Sequence, residues 1–142
     1  MHRLKYLACG LVLLAAACTS DTGVVAPTTT TNLTQDFTDA TNGPLTQHGS
    51  QTFSFATLAA GQVSVQLVAL LPDGPGGQTV GLELGVLDSA AGCQRVVHND
   101  RVSIGSTVVA TATTAGTLCT SIYDASGTLT QPQTFDIQVS HP

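Results

Sequence analysis

Apolar side chains recur at every second position along much of this chain, and that period leaves few folds open. Phe53 and Phe55 alternate with polar neighbours, and Val63, Val65, Leu67, Ala69 and Leu71 continue the pattern. Val80, Leu82, Leu84 and Val86 repeat it, as do Phe135, Ile137 and Val139. Successive side chains of a strand point to opposite faces, so a period of two marks strands with one face buried. Weaker segments lie at 93–98, 107–113 and 118–123, the last with Leu118 and Ile122 inward, and a first edge strand fits at 37–40. Turn residues separate these runs: Asn42-Gly43-Pro44, His48-Gly49-Ser50, Ala59-Ala60-Gly61, the loop 72–77, Ser89-Ala90-Ala91-Gly92, Ala115-Gly116 and Ala125-Ser126-Gly127. No segment past residue 40 combines a helical period with caps. The expectation is an all-β domain over residues 37–142. It is an antiparallel two-sheet β-sandwich of seven to eight strands in a jelly-roll or Greek-key order.

The start of the chain obeys a different rule. Met1-His2-Arg3-Leu4-Lys5 is basic, the stretch from Tyr6 to Leu14 is apolar, and Ala15-Ala16-Ala17-Cys18 ends it with small residues and a cysteine. The apolar run is about a dozen residues, against the roughly 20 that a membrane-spanning helix needs. A basic start, a short apolar core and a small-residue end fit an export signal instead. With Cys18 at its close, this segment resembles the signal of bacterial lipoproteins. The resemblance implies cleavage before Cys18, a signal helix at 1–17, and a thioether-linked diacylglycerol on Cys18, usually with an N-terminal acyl chain as well. Several acyl chains anchor stably where one is marginal. In that family an aspartate after the cysteine favours the inner membrane. This chain has Thr19 there, so the outer membrane of a bacterial cell envelope is the expected address. Residues 18–36, with the run Thr28-Thr29-Thr30-Thr31, have little to bury and form the expected disordered, Thr-rich tether.

Composition narrows the partners. Loss of residues 1–17 takes Arg3 and Lys5 with it, leaving Arg95 and Arg101 against all nine acids. Two separated arginines cannot line a groove for phosphates, which argues against nucleic acid as a partner. The same deficit removes electrostatic attraction to anionic lipid, so membrane attachment falls to the lipid on Cys18. Cys9 leaves with the signal. Cys93 and Cys119 remain, and an exported protein meets an oxidising compartment where two cysteines usually pair. A bridge closing that loop is worth about 3–4 kcal/mol on the chain-entropy estimate. Neither cysteine has a histidine at ligand spacing, and a Cys-x-x-Cys pair is absent, which argues against a metal site there.

Four stretches carry a second likeness: 61–67 (Gly-Gln-Val-Ser-Val-Gln-Leu), 80–85 (Val-Gly-Leu-Glu-Leu-Gly), 116–124 (Gly-Thr-Leu-Cys-Thr-Ser-Ile-Tyr-Asp) and 135–140 (Phe-Asp-Ile-Gln-Val-Ser). Over residues 37–140 the chain resembles the bacterial pre-peptidase C-terminal (PPC) domain family and its jelly-roll relatives. The resemblance implies a β-sandwich accessory module without catalytic residues. Those modules usually accompany a secreted enzyme, for which this chain has no room.

Candidate chemistry is sparse. Asp124-Ala125-Ser126-Gly127 fits a hairpin turn in which Asp124 accepts backbone N–H bonds and Gly127 takes positive φ. His98-Asn99-Asp100 follows a strand and fits a polar turn. A Gly-x-Ser-x-Gly motif is absent, and the remaining histidines are His48, in a turn, and His141, near the end. The loop 72–77 has no Lys-Ser/Thr to make a phosphate cradle. Asp73, Asp88, Asp100 and Asp124 are placed at strand ends, where loops meeting at one end could bring two or three together for Ca²⁺, and solvated turn acids are the default. An aromatic platform for sugars is lacking, because Phe53, Phe55 and Phe135 take core positions. The expected function is a lipid-anchored, non-enzymatic envelope β-sandwich with no catalytic residues and no resident metal or cofactor. It acts as a structural or protein-interaction module, its partner an envelope protein. The alternative is a ligand-binding accessory module for glycan or peptide, with or without the assistance of Ca²⁺.

Overall fold

A computed structural model describes residues 31–72 and 78–142. The signal, Cys18, most of the tether and Asp73 lie outside the described residues. Eight strands follow in order: β1 (Leu33–Thr38), β2 (Ser50–Thr57), β3 (Gly61–Leu71), β4 (Val80–Asp88), β5 (Gly92–Val102), β6 (Thr107–Ala112), β7 (Gly116–Tyr123) and β8 (Thr134–His141). One short helix, α1 (Asp39–Asn42), is capped by the Thr38 side chain, which accepts from Ala40 N–H. The strands form two four-stranded antiparallel sheets, ordered β1-β8-β3-β6 and β2-β7-β4-β5. The chain is therefore an all-β two-sheet sandwich. Its order is that of a jelly roll: β1 pairs with β8, β2 with β7, β3 with β6 and β4 with β5, like one long hairpin rolled up.

The alternating residues build the core. Phe53, Phe55, Val63, Val65, Leu67, Val80, Leu82, Leu84, Ile122, Phe135, Ile137 and Val139 are all buried between the sheets. Phe37 of β1 stacks on Phe53 with ring centroids 4.9 Å apart, which joins the two sheets along one side.

Several local expectations need correction. β1 begins at Leu33, so it takes in residues that alternation alone left in the 18–36 tether; the segment 39–42 is helical rather than strand. In β3 the register slips between Leu67 and Ala69. That bulge turns Leu70 inward and leaves Leu71 51% exposed, where strict alternation puts Ala69 and Leu71 inside. Val86, near the end of β4, is exposed rather than in the core. β5 runs on to Val102, so His98-Asn99-Asp100 is strand and not a turn. It is an edge strand with little to bury, and its pattern shows no alternation to read. Residues 124–127 carry the chemistry expected of them, with Gly127 at φ 67°. They start a crossover between sheets rather than a hairpin, because β7 and β8 belong to different sheets.

Cys93 and Cys119 form a disulfide with Cα atoms 5.8 Å apart. The bond joins β5 to β7 although β4 lies between them in the sheet. β5 must fold closely over β4 for that, and Gly85 permits it: a Cβ there would run into the Gln94 carbonyl.

Registers define two ends of the sandwich. Leu33, Gly61, Ala112 and His141 mark one end of the first sheet. Thr57, Gly116 and Asp88 mark the same end of the second, and the Leu58 N–H to Pro142 carbonyl bond ties the two. This near end is where the chain enters the domain. The far end carries Ser50, Tyr123 and Gly81 in the second sheet, with the loop at His48 packed beside Asp124.

Candidate functional site

The outward face of the second sheet brings several polar and charged side chains together. Alternation that sends Leu82, Leu84 and Ile122 inward sends Glu83, Ser121 and Tyr123 outward, together with Ser50 and Thr52 of β2. Gly81 leaves a gap on β4 that the Tyr123 ring fills, since a Cβ at 81 would collide with it. The ring thus lies across β4, and its hydroxyl donates to Asp100 Oδ1 of β5 at 2.6 Å. Arg95, also from β5, reaches back over the same ring, its Cζ 5.1 Å from the centroid. Its Nε donates to Glu83 Oε2 at 2.5 Å. Thr52 Oγ1 and Ser121 Oγ share a hydrogen bond of 2.8 Å.

These groups, with His48, Gly49, Asp124 and Ala125, line an open cleft of about 450 Å³ toward the far end. Glu83 is buried and Arg95 is about half exposed, so the guanidinium presents its remaining donors to the opening. Burial alone would lower the Arg95 pKa, but the hydrogen bond and charge of Glu83 outweigh it and raise it. Tyr123 is pushed well above the ordinary phenol value by burial, and further by the bond to Asp100.

Asp124 forms the cleft's loop wall. Its carboxylate accepts N–H bonds from His48, Thr128 and Leu129, each at 3.2 Å, and its own N–H donates to the Gly49 carbonyl. Burial would raise its pKa, but the N–H groups of His48, Leu129, Thr128 and Gly127 outweigh that and hold it low.

The four acids singled out from the sequence do not converge. Asp100 and Asp124 both border the cleft. Asp88 sits at the opposite end, where its Oδ1 accepts from Ala90 and Ala91, and those bonds lower its pKa. Asp73 lies outside the described residues. Among the described residues no group of three or more His, Cys, Asp or Glu side chains is placed to hold a metal ion. His98 Nε2 is 3.9 Å from Asp100 Oδ2, with both side chains about half exposed. His141 is buried against Phe55, ring centroids 5.3 Å apart.

The sequence reading missed Glu83, Arg95, Ser121 and Tyr123 as a group, because they come from three strands. One signal was present. Gly81-Leu82-Glu83-Leu84-Gly85 puts two glycines on the outward face of a strong strand, and a glycine inside a strand marks close approach by another group.

Tyr123 gives the cleft its own reporter, since Tyr6 precedes Cys18 and the chain has no tryptophan. In residues 19–142, alkaline titration followed by phenolate absorbance is expected to show a midpoint above the ordinary value of about 10. Asp100→Ala should lower that midpoint, because it removes both the acceptor and a nearby negative charge. An unchanged midpoint would contradict the Tyr123–Asp100 bond.

No family model matches this chain, and no curated protein sequence matches it either.

Proposed function

We propose that this chain is an exported module of the bacterial cell envelope, anchored by lipid on Cys18, that recognises an envelope protein without catalysis. One observation carries the reading: the chain enters the domain at Leu33, at the near end, while the polar cleft opens toward the far end. A domain held from the near end would present the cleft away from its membrane. Thr19, in the position where aspartate favours the inner membrane in lipoproteins, supports the outer membrane as the site.

The cleft suits recognition rather than turnover. Its carboxylates are already engaged: Glu83 by Arg95, Asp100 by Tyr123, Asp124 by backbone N–H groups. Among the described residues no serine or threonine hydroxyl is hydrogen-bonded to a histidine ring, as a nucleophile with its base would be. A second reading, a glycan or peptide as ligand, is favoured by the hydroxyls of Ser50, Thr52, Ser121 and Tyr123 lining the opening.

Capture from detergent-solubilised envelopes tests both. The anchored protein is expected to co-purify with one envelope protein, and Arg95→Ala, which strips the exposed guanidinium from the cleft, should lose it. Competition by glycan fragments would favour the second reading. Equal capture by parent and variant would remove the cleft from either. Turnover of a peptide, ester, phosphoester or glycoside that His98→Ala abolishes, with folding intact, would overturn the non-enzymatic reading.

A further inference from the structure

We infer that the near end of the sandwich rests on the bilayer that holds the Cys18 lipid, an inference that depends on the lipid-anchor reading. The two ends differ in where their charged side chains lie. At the near end the loop tips are Leu58-Ala59-Ala60, Ser89-Ala90-Ala91 and Thr113-Thr114-Ala115. Leu58 is 74% exposed there, and Leu33, Val86 and Leu87 are exposed around it. An apolar groove of about 190 Å³ opens beside the 113–117 turn, with the 64%-exposed Val96 at its mouth. The one ionised side chain among these tips, Asp88, is turned onto the N–H groups of Ala90 and Ala91. The far end carries exposed Leu71 and Ile104 too, but there they stand among His48, Asp100, Arg101 and Asp124.

Exposed apolar tips of this extent mark a contact surface. The length of chain ahead of the domain selects its occupant. Residues 19–32 join the lipidated cysteine to Leu33, and even fully extended they would reach no more than about 50 Å. Because the chain enters the domain at the near end, that connection holds this end closer to the headgroups than the cleft, at an effective concentration that a diffusing partner does not match. Arg95 is paired with Glu83 and Arg101 lies at the far end, so the contact is apolar, insensitive to salt and indifferent to anionic lipid.

The test uses the full lipidated protein in phosphatidylcholine vesicles. A spin label is placed at the near end on Ala59→Cys, or at the far end on Ser126→Cys. The near label is expected to show several-fold lower access to an aqueous nickel chelate than the far label, with access to membrane-dissolved oxygen and no response to salt. Leu33→Asp with Leu58→Asp, both at exposed positions, should make the near label as wet as the far one while the protein stays in the vesicles with its Tyr123 titration unchanged. Equal wetness of both labels in the anchored parent overturns this inference alone. So does protection that follows protein density instead of lipid, which would make a second copy the occupant. A parent that never enters the membrane fraction overturns the lipid-anchor reading and this inference with it.

Discussion

Replacing Cys93 and Cys119 together by alanine is expected to cost the domain about 3–4 kcal/mol of stability, most of it through the freed unfolded chain. For a domain of this size that corresponds to a fall in Tm of roughly 10–20 °C. The bridge closes a sequence separation of 26 residues and ties edge strand β5 to β7 across β4. Without it, little apolar burial holds β5, whose side chains are mostly exposed. Arg95 and Asp100 ride on that strand, so the Tyr123 midpoint should fall along with the stability. Denaturant unfolding of parent and double variant measures the first effect. A loss under about 1 kcal/mol would mean that the sheet holds β5 without the bond.

Asp124→Ala should be nearly as damaging, at about 2–4 kcal/mol, because it leaves several N–H donors without their charged acceptor. Asp124 is 5% exposed, and its carboxylate pins the loop at His48 to the crossover at Thr128 and Leu129. Its pH dependence follows from the lowered pKa. A carboxylate held below its unfolded value of 3.8 contributes stability that is complete above that value and lost as pH falls through the folded pKa. The gap between parent and variant should thus be full at neutral pH and close below about pH 4. A gap that widens on acidification would contradict the assignment. Asp124→Asn, which keeps one acceptor oxygen without the charge, should fall between the two.

Legibility followed burial. β3, β4 and β8 each place one face against the opposing sheet, and their alternation is plain in Val63-to-Leu67, Val80-to-Leu84 and Phe135-to-Val139. β5 packs little, so selection for apolar residues is weak along it and its full length was invisible. The bulge at Leu67 and Ala69 cannot be read from period two, because it is a slip in pairing with β8. Leu45 and Leu129 are fully or almost fully buried although they come from loops, plugging the far end where no period exists. The disulfide was legible because a chain read as exported with two cysteines in its domain is expected to pair them, whatever the strand order. The cleft was not, because it is made by the register of β4 against β5 and β7. Only the outward glycines of β4 hinted that something lies across that strand.

Everything proposed for the domain turns on a lipid anchor at Cys18, which a comparison of the parent with Cys18→Ser decides. Parent and Cys18→Ser are expressed in a bacterium with a lipoprotein pathway, supplied with labelled fatty acid, and fractionated. The parent should incorporate label, lose residues 1–17 and sediment with membranes. Cys18→Ser should take up no label and either remain uncleaved or leave the membrane fraction. A Cys18→Ser protein that is cleaved and retained in the membrane like the parent would rule out a lipid anchor at Cys18.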